Sequence, residues 1–317
     1  MTPDSHRQTV AGQRIDLLKA HRSTELVRLA SQRRVFNRLD WWTPAEWYNS
    51  NAFWAVSRSE TIDAALLVVP VAIDDMDDLQ TAQPGSAWIR WCAVTDGVSA
   101  SEALQPLFDA CEDRLQQVGI DCTFCIVEPM HWLYACLRER GYARNDDVIT
   151  LMSRERIPDT TFDESSRAVT VRAATWYDIA QVAEVDTQAF EEQWRYPGFV
   201  LRRALESSAY FTVAELDGQI VGYQFAAVNE EDAHITRLVV RPPAQGRGIG
   251  AMLLADCMHY LRHSLRIKTI TLNTQASNTI SQRLYARFGF ETLQPRLRVM
   301  CRCYDNCLPA WQGALDM

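Results

Sequence analysis

Lysine is nearly missing from this 317-residue chain: of 32 basic residues only Lys19 and Lys268 are lysines. Basic side chains are outnumbered by 40 acidic ones, which gives a formal net charge of -8 and a pI near 5.3. That balance excludes a general nucleic-acid binder, whose surface would be basic. Long apolar runs are missing too. No stretch approaches the roughly 20 residues of a membrane-spanning helix, and the opening MTPDSHRQTVAGQR holds no apolar segment. The expectation is a cytoplasmic protein with no membrane partner. No second cysteine pair stands at zinc-ligand spacing from Cys122-Thr-Phe-Cys125, so no metal is expected. The nine cysteines, an odd count scattered through apolar segments, read as reduced and mostly buried thiols. Glycine is sparse as well, 13 residues in all, yet Gly246, Gly248 and Gly250 crowd into one short stretch.

What is present is enough apolar material, 47% of residues, for two cores in a chain of comfortable two-domain length. In the first half, helical spacing covers 15–34, and strands are expected at 53–56, 64–71 and 87–94. Leu104, Leu107, Phe108, Cys111 and Leu115 share a helix face. A strand at 122–127, a helix at 132–140 and a closing strand at 147–153 follow. The polar stretch 154–167 reads as a linker. In the second half, Thr175 is an N-cap with Asp178 three residues on, starting a helix that reaches about Phe190. Strands at 209–216 and 219–228 flank Asp217-Gly218, a hairpin signal. A strand at 234–240, a helix at 248–265, a strand at 269–275, a helix at 278–288 and a closing strand at 297–304 complete the chain.

The halves repeat. AWIRWCAV from Ala87 corresponds to AHITRLVV from Ala233, 146 residues later, and LRERGYARND corresponds to YARFGFETLQ. Gly141 and Gly289 each end a helix, the position of a left-handed cap. The expected division is 1–153, a linker 154–167, 168–304 and a tail 305–317.

The stretch HITRLVVRPPAQGRGIG runs from a strand through a glycine turn into a helix start. Unpaired first-turn amides and the helix dipole make such a place an anion site. The string GRGIGA also satisfies a dinucleotide-binding pattern, but five residues separate the glycines from the strand and TITLNTQ carries no acid.

Two motifs then mark a family. Gln245, Gly248 and Gly250 after LVVRPPA, and Asn278-Thr-Ile-Ser-Gln-Arg-Leu-Tyr285 before Arg-Phe-Gly-Phe, resemble the GNAT superfamily of acyl-CoA-dependent N-acyltransferases over about 167–304. The first half resembles it only in element order and in its Gly-Tyr ending. Where the second half has its glycines the first has SASEAL, and Met130 and Leu137 stand opposite Asn278 and Tyr285. The resemblance therefore implies an α/β (α+β) fold of two tandem GNAT-like domains. Each would be a mixed, largely antiparallel sheet flanked by helices, the first a degenerate copy.

By the same resemblance, acetyl-CoA or another short acyl-CoA is the co-substrate. Backbone groups of Leu238, Val239 and Val240 would meet its pantetheine arm, and Gln245, Gly246, Arg247, Gly248, Ile249 and Gly250 its pyrophosphate. Asn273 and Asn278 would lie beside it; at the place of Asn273 some relatives carry a glutamate, so a ribosomal-protein N-terminal acetyltransferase is not a close match. Tyr285 is placed as the acid for the departing thiolate. His234 is placed as the base, with a structural hydrogen bond as the other reading; Glu230 and Glu231 stand in reserve. Glu191, Trp194 and Tyr196, in the bulky loop EEQWRYPG, would face an acceptor amine.

The expected activity is transfer of an acetyl group to a primary amine of a small molecule or peptide by direct attack, in a monomer or homodimer. A non-catalytic acyl-CoA-binding regulator and a tandem enzyme similar to mycothiol synthases, acting on a cysteinyl sugar, are the alternatives.

Overall fold

The computed structural model describes residues 7–10, 13–19, 28–37, 52–59, 61–71, 85–154 and 168–304. In chain order the first half supplies β1 (Arg7–Val10), β2 (Gln13–Lys19), β3 (Arg34–Asn37), β4 (Phe53–Arg58), β5 (Ile62–Pro70), β6 (Gly85–Val94), α1 (Ala100–Gln117), β7 (Ile120–Val127), α2 (Trp132–Glu139) and β8 (Ala143–Ser153). The second half supplies β9 (Thr170–Ala173), α3 (Ile179–Ala189), α4 (Gly198–Ser207), β10 (Tyr210–Leu216), β11 (Gln219–Asn229), β12 (Asp232–Val240), α5 (Ile249–His259), β13 (Thr269–Gln275), α6 (Thr279–Arg287), β14 (Glu291–Thr292) and β15 (Leu297–Cys303). No helix among the described residues is long and apolar enough to cross a membrane.

The described residues form two compact units, and the division does not fall at the polar stretch. One unit holds the residues up to Asp146 together with those from Leu297 on; the other is Asp147–Arg296. The halves have thus exchanged closing strands. In the first unit β15 pairs antiparallel with β7, from Arg298↔Val127 to Cys303↔Cys122. In the second, β8 from Asp147 on pairs antiparallel with β13, from Gln275↔Val148 to Ile270↔Ser153. Side chains in the first unit hold the borrowed strand on both of its faces. Arg302 reaches Glu112 of α1 at 3.1 Å and the carbonyl of Arg140, and Arg140 itself bonds Glu112 at 2.8 Å. Tyr304 donates to Thr123 Oγ1 at 2.7 Å, and Cys303 is disulfide-bonded to Cys122.

Within the first unit the sheet order is β1-β2-β4-β5-β6-β7-β15, with β3 also on β6; within the second it is β9-β10-β11-β12-β13-β8, with β14 on β8. Every ladder given for these sheets is antiparallel except β6–β7 and β12–β13. The duplication extends to irregularities. Arg90 is the extra residue where the β5–β6 register steps, and Thr236, 146 positions on, is the extra residue where the β11–β12 register steps.

Local chemistry explains most boundaries. Asp217 and Gly218 both have positive φ, 52° and 75°, as a two-residue hairpin of the twist-compatible type needs. Thr175 and Asp178 form the capping box: Asp178 Oδ2 accepts from the Thr175 N–H at 2.7 Å, and Arg172 beside it lowers the carboxyl to about 2. Gly141 and Gly289, at φ of 90° and 74°, cap their helices as expected.

Two expectations fail. Residues 13–19 form a strand, paired from Arg14↔Arg58 to Lys19↔Phe53, where helical spacing had pointed to a helix. Apolar residues at 15, 17 and 18 satisfy either period over so short a run, and pairing to β4 decides the outcome. The thiols are not all reduced: Cys122 and Cys303 are bonded, while Cys92, Cys111, Cys125, Cys136, Cys257 and Cys301 are free and buried. Cys307 and the polar stretch 155–167 lie outside the described residues.

Candidate active site

A bulge opens the second unit's sheet. The β11–β12 register steps from Phe225↔Arg237 to Ala226↔Ile235, leaving Thr236 over, and a bulged strand bends. The parallel ladder to β13 runs from Asp232↔Thr269 to Ile235↔Leu272 and stops there, while β12 continues to Val240 and β13 to Gln275. Arg241 N–H bonds back to the Val221 carbonyl at 2.9 Å. Ladder alternation therefore turns the backbone groups of Leu238 and Val240 away from β11, towards the gap. One of them is used: Gln245 Nε2 donates to the Val240 carbonyl at 2.9 Å, stapling the following turn to the strand.

That turn contains Gly246 and Gly248 at φ of 78° and 77°, a region that costs a side-chain-bearing residue about 1–2 kcal/mol. Gly248 is the N-cap of α5 and brings no side chain to cap it. The first helical bond runs from Met252 N–H to the Gly248 carbonyl at 3.0 Å, so the amides of Ile249, Gly250 and Ala251 have no partner within the helix. Gln245, Gly246, Arg247 and Gly248 are exposed. Gly250 sits where a Cβ would lie 3.5 Å from Leu284, at the seam between α5 and α6. Gly222 was missed by the sequence reading. A Cβ there would meet the Val239 carbonyl at 2.7 Å and Leu253 at 3.2 Å, so this glycine lets α5 approach the strand pair. Its only signal was a glycine inside an apolar strand.

His234 is buried, and its Nδ1 lies 2.8 Å from Thr271 Oγ1. The Thr271 hydroxyl donates to the Ala233 carbonyl at 3.1 Å, so the proton between the two side chains belongs to His234 Nδ1. Burial lowers this histidine to about 3, and it is neutral at pH 7. Two positions along the same strand face from Thr271 is Asn273, just past the last β12–β13 pair. Its Oδ1 is buried and has no hydrogen-bond partner among the described residues.

Tyr285 is buried on α6 among Phe288, Phe290 and residues of α5 and β13. Desolvation raises it to about 12, a hydrogen bond with Ser281 acting the other way, so it stays a protonated donor through the whole ordinary pH range. Asn278 caps α6, its side chain accepting from Ser281 N–H at 3.1 Å.

The loop expected to face the acceptor is pinned by a buried charge pair that the sequence did not reveal. Asp186 of α3 is fully buried and accepts from Arg237 Nε at 2.8 Å and Nη2 at 2.6 Å, and also from the Tyr223 hydroxyl. The guanidinium lies 3.6 Å from the Phe190 ring centre and 4.2 Å from that of Tyr196. It donates to the Trp194 carbonyl at 2.7 Å, and Tyr196 N–H donates to Asp186 at 2.7 Å. Trp194 and Tyr196 are thus half-buried and fastened from beneath, while Glu191 is exposed and accepts from Gln193 at 2.8 Å.

This cleft lies within residues 175–290, which match the acetyltransferase (GNAT) family profile. A Methanocaldococcus jannaschii protein described as an uncharacterized N-acetyltransferase is 31% identical over 121 residues, 38% of this chain and 76% of that protein. The chain belongs to the GNAT acetyltransferase family. With that membership goes its class, an acyl-CoA-dependent N-acetyltransferase. A mycothiol acetyltransferase of Mycolicibacterium gilvum is 32% identical over 161 residues, 45% of this chain but only 53% of that enzyme. In fold the chain is similar to a tandem GNAT protein from the clavulanic acid biosynthesis pathway. The TM-score is 0.61 at 15% identity, over 91% of this chain and 98% of that one.

Seen as a second GNAT fold, the first unit has the same cleft, filled by the chain itself. Its parallel ladder stops at Trp88↔Phe124, and β6 continues to Val94. There β3 pairs with it, from Arg34↔Val94 to Asn37↔Trp91, on backbone groups equivalent to those of Leu238–Val240. At the helix start Ser99 caps α1, its hydroxyl accepting from Glu102 N–H at 3.4 Å, and Arg34 donates to the Val98 carbonyl at 2.6 Å.

Proposed function

We propose that the second unit transfers an acetyl group from acetyl-CoA to a primary amine of a small molecule or peptide by direct attack. The observation that carries this reading is the gap beyond Ile235, bordered by strand backbone on one side and ending at the Gly246–Gly250 turn. Backbone groups of Leu238 and Val240 would hold the amide-rich arm of the cofactor as an extra strand holds a sheet edge. The amides of Ile249, Gly250 and Ala251 would take the pyrophosphate, aided by the helix dipole. Gln245 shapes the turn rather than reaching the ligand, and Asn278 keeps its cap.

The amine attacks the thioester carbonyl, the carbon–sulfur bond breaks, and the thiolate leaves. Tyr285 suits the leaving-group side: a phenol held protonated can donate to a sulfur that gains negative charge. His234 is poorly suited to be the base. A ring lowered to about 3 holds a proton too weakly to take one from an ammonium group; we assign it to fixing Thr271 and the strand register. Proton removal falls to water; Glu230 and Glu231 are exposed at the β11–β12 turn, at the end of β12 away from the gap. Asn273 Oδ1 offers a hydrogen-bond acceptor where the two strands part. Trp194 and Tyr196, fastened to Arg237, form a fixed wall for the acceptor, with Glu191 at its rim. The match to mycothiol acetyltransferase favours a cysteinyl sugar as the first amine to try.

Thiol release from acetyl-CoA is measured against a panel of amines, including that cysteinyl sugar. With an accepted amine, Tyr285→Phe is expected to lower kcat by roughly 100-fold or more at nearly unchanged CoA affinity. Full activity in that variant would remove Tyr285 from the chemistry.

A further inference from the structure

The borrowed strand brings three cysteines together, and no part of the acyl-transfer reading uses them. On β15 and β7, Cys303 and Cys122 stand directly opposite each other, with Cα atoms 4.1 Å apart. Cys301 lies two residues back on β15, on the same strand face, with its sulfur 3.8 Å from that of Cys303. All three sulfurs lie within 4.8 Å of one another. Cys125, the partner suggested by the CxxC spacing, belongs to the other face of β7 and is packed in the helix-side core.

We propose that Cys122, Cys301 and Cys303, when reduced, form a three-thiolate site for one soft d10 cation of the Zn²⁺ class. Two sulfurs bound to one zinc at ~2.3 Å in tetrahedral geometry stand ~3.8 Å apart, the separation already present between Cys301 and Cys303. Three thiolates leave the fourth position to water or a small ligand. Soft thiolate donors select this class over Mg²⁺ or Ca²⁺, which take oxygen. The site spans two strands distant in sequence, so a bound ion would fasten the end of the chain into the first unit as the disulfide does.

The two fastenings exclude each other, because both use Cys122 and Cys303. A small-molecule disulfide, R–S–S–R, converts one into the other. The Cys122–Cys303 bond forms, the R–S–S–R bond breaks and takes the electron pair, two R–SH leave with two protons from solvent, a third proton neutralises the Cys301 thiolate, and the cation departs as M²⁺. Cys122 and Cys303 are half-buried, open enough for that exchange, whereas Cys301 is buried.

The test uses the full chain, reduced and freed of reductant under inert gas. It is titrated with Zn²⁺ against a chromophoric chelator, and with Cd²⁺ followed by thiolate-to-metal charge-transfer absorbance. One equivalent is expected to bind. Cys301→Ser should weaken it by more than the roughly 10–100-fold that loss of an outer-shell partner costs, and Cys125→Ala should leave it unchanged. Protein oxidised by a small disulfide should take none and recover on reduction. Since a strand variant can fail to fold, the unaltered protein is also alkylated with and without Zn²⁺. Mass spectrometry should then find Cys122, Cys301 and Cys303 protected together. Less than one equivalent bound, undiminished affinity in Cys301→Ser, or labelling of these three unaffected by Zn²⁺ overturns the proposal.

Discussion

Cutting the chain where the sequence suggests should fail to yield a stable enzyme. A fragment 168–304 carries both acyl-CoA motifs but omits the part of β8 that belongs to the second unit. Six register pairs along β13, from Gln275↔Val148 to Ile270↔Ser153, would be lost and β13 left as an open edge. Val148, Ile149 and Leu151, exposed to only 5%, 2% and 3%, would leave the core. Each such burial contributes about 1.5–3 kcal/mol, so the three together give about 5–9 kcal/mol, an upper figure because unfolded chains already bury some surface. Whole domains are stable by about 5–15 kcal/mol. The fragment should therefore be unfolded or marginal at 25 °C, with β15 an added unpaired strand. A fragment 147–296, which keeps β8 and drops β15, should melt cooperatively and bind CoA. Circular dichroism melts and a CoA thermal shift compare the two. If 168–304 melted cooperatively at the temperature of 147–296, the exchange of strands would be refuted. The same topology says that a full chain cleaved at a protease site inserted within 154–167 should stay together in size-exclusion chromatography, since each compact unit still contains a strand from the other piece.

Isothermal titration of the full chain with acetyl-CoA should give one site per chain, because β3 occupies the gap in the first unit; two equivalent sites would contradict that account. Gly248→Ala, placing a side chain at φ of 77°, should cost about 1–2 kcal/mol in urea melts and weaken CoA binding about tenfold or more. Arg237→Met leaves Asp186 buried and unpaired and should cost about 3–5 kcal/mol in the same melts, with KM for the amine rising as the 190–196 loop loosens. His234, lowered from 6.5 to about 3 by burial, binds its proton more readily when unfolded. Its contribution to stability is complete above pH 6.5 and is lost as pH falls towards 3. His234→Gln should therefore flatten the fall in melting temperature across that window, and the acid limb of the rate profile should not move with it.

Much of the second unit was legible because its signals are local. Asp217-Gly218, the Thr175–Asp178 box and the glycine turn each impose backbone geometry through residues a few positions apart. The two motifs that mark the family are equally compact. What escaped depends on which partner an element finds. The closing strands at 147–153 and 297–304 each follow a glycine-capped helix with an aromatic just after it, and alternation shows that each is a strand but not whose sheet it joins. The Cys122–Cys303 bond links positions 181 residues apart, and no spacing rule reaches that far. His234 was found as a position, but its chemistry depends on burial, which a strand periodicity cannot measure. Asp186 and Arg237 were legible only as two charges in apolar segments; their pairing needed the fold.

The first unit explains why one chain with two copies of this fold should hold one acyl-CoA. Both copies keep the bulge, at Arg90 and Thr236, and with it a strand that parts from its parallel neighbour. A parted strand exposes backbone donors and acceptors that must be satisfied. In the second unit Gln245 takes the Val240 carbonyl, and on the proposed reading a ligand would take the others, beside a helix start capped by a glycine. In the first, β3 takes the backbone groups and Ser99 takes the cap, so both requirements of the fold are met internally. Loss of the glycines takes away the pyrophosphate cradle, and filling the gap with a strand takes away the backbone groups for the arm; either alone removes the site. A deletion of 34–37 should then leave CoA stoichiometry at one and lower stability, since Phe36 leaves the core and no glycine turn is present to receive a pyrophosphate.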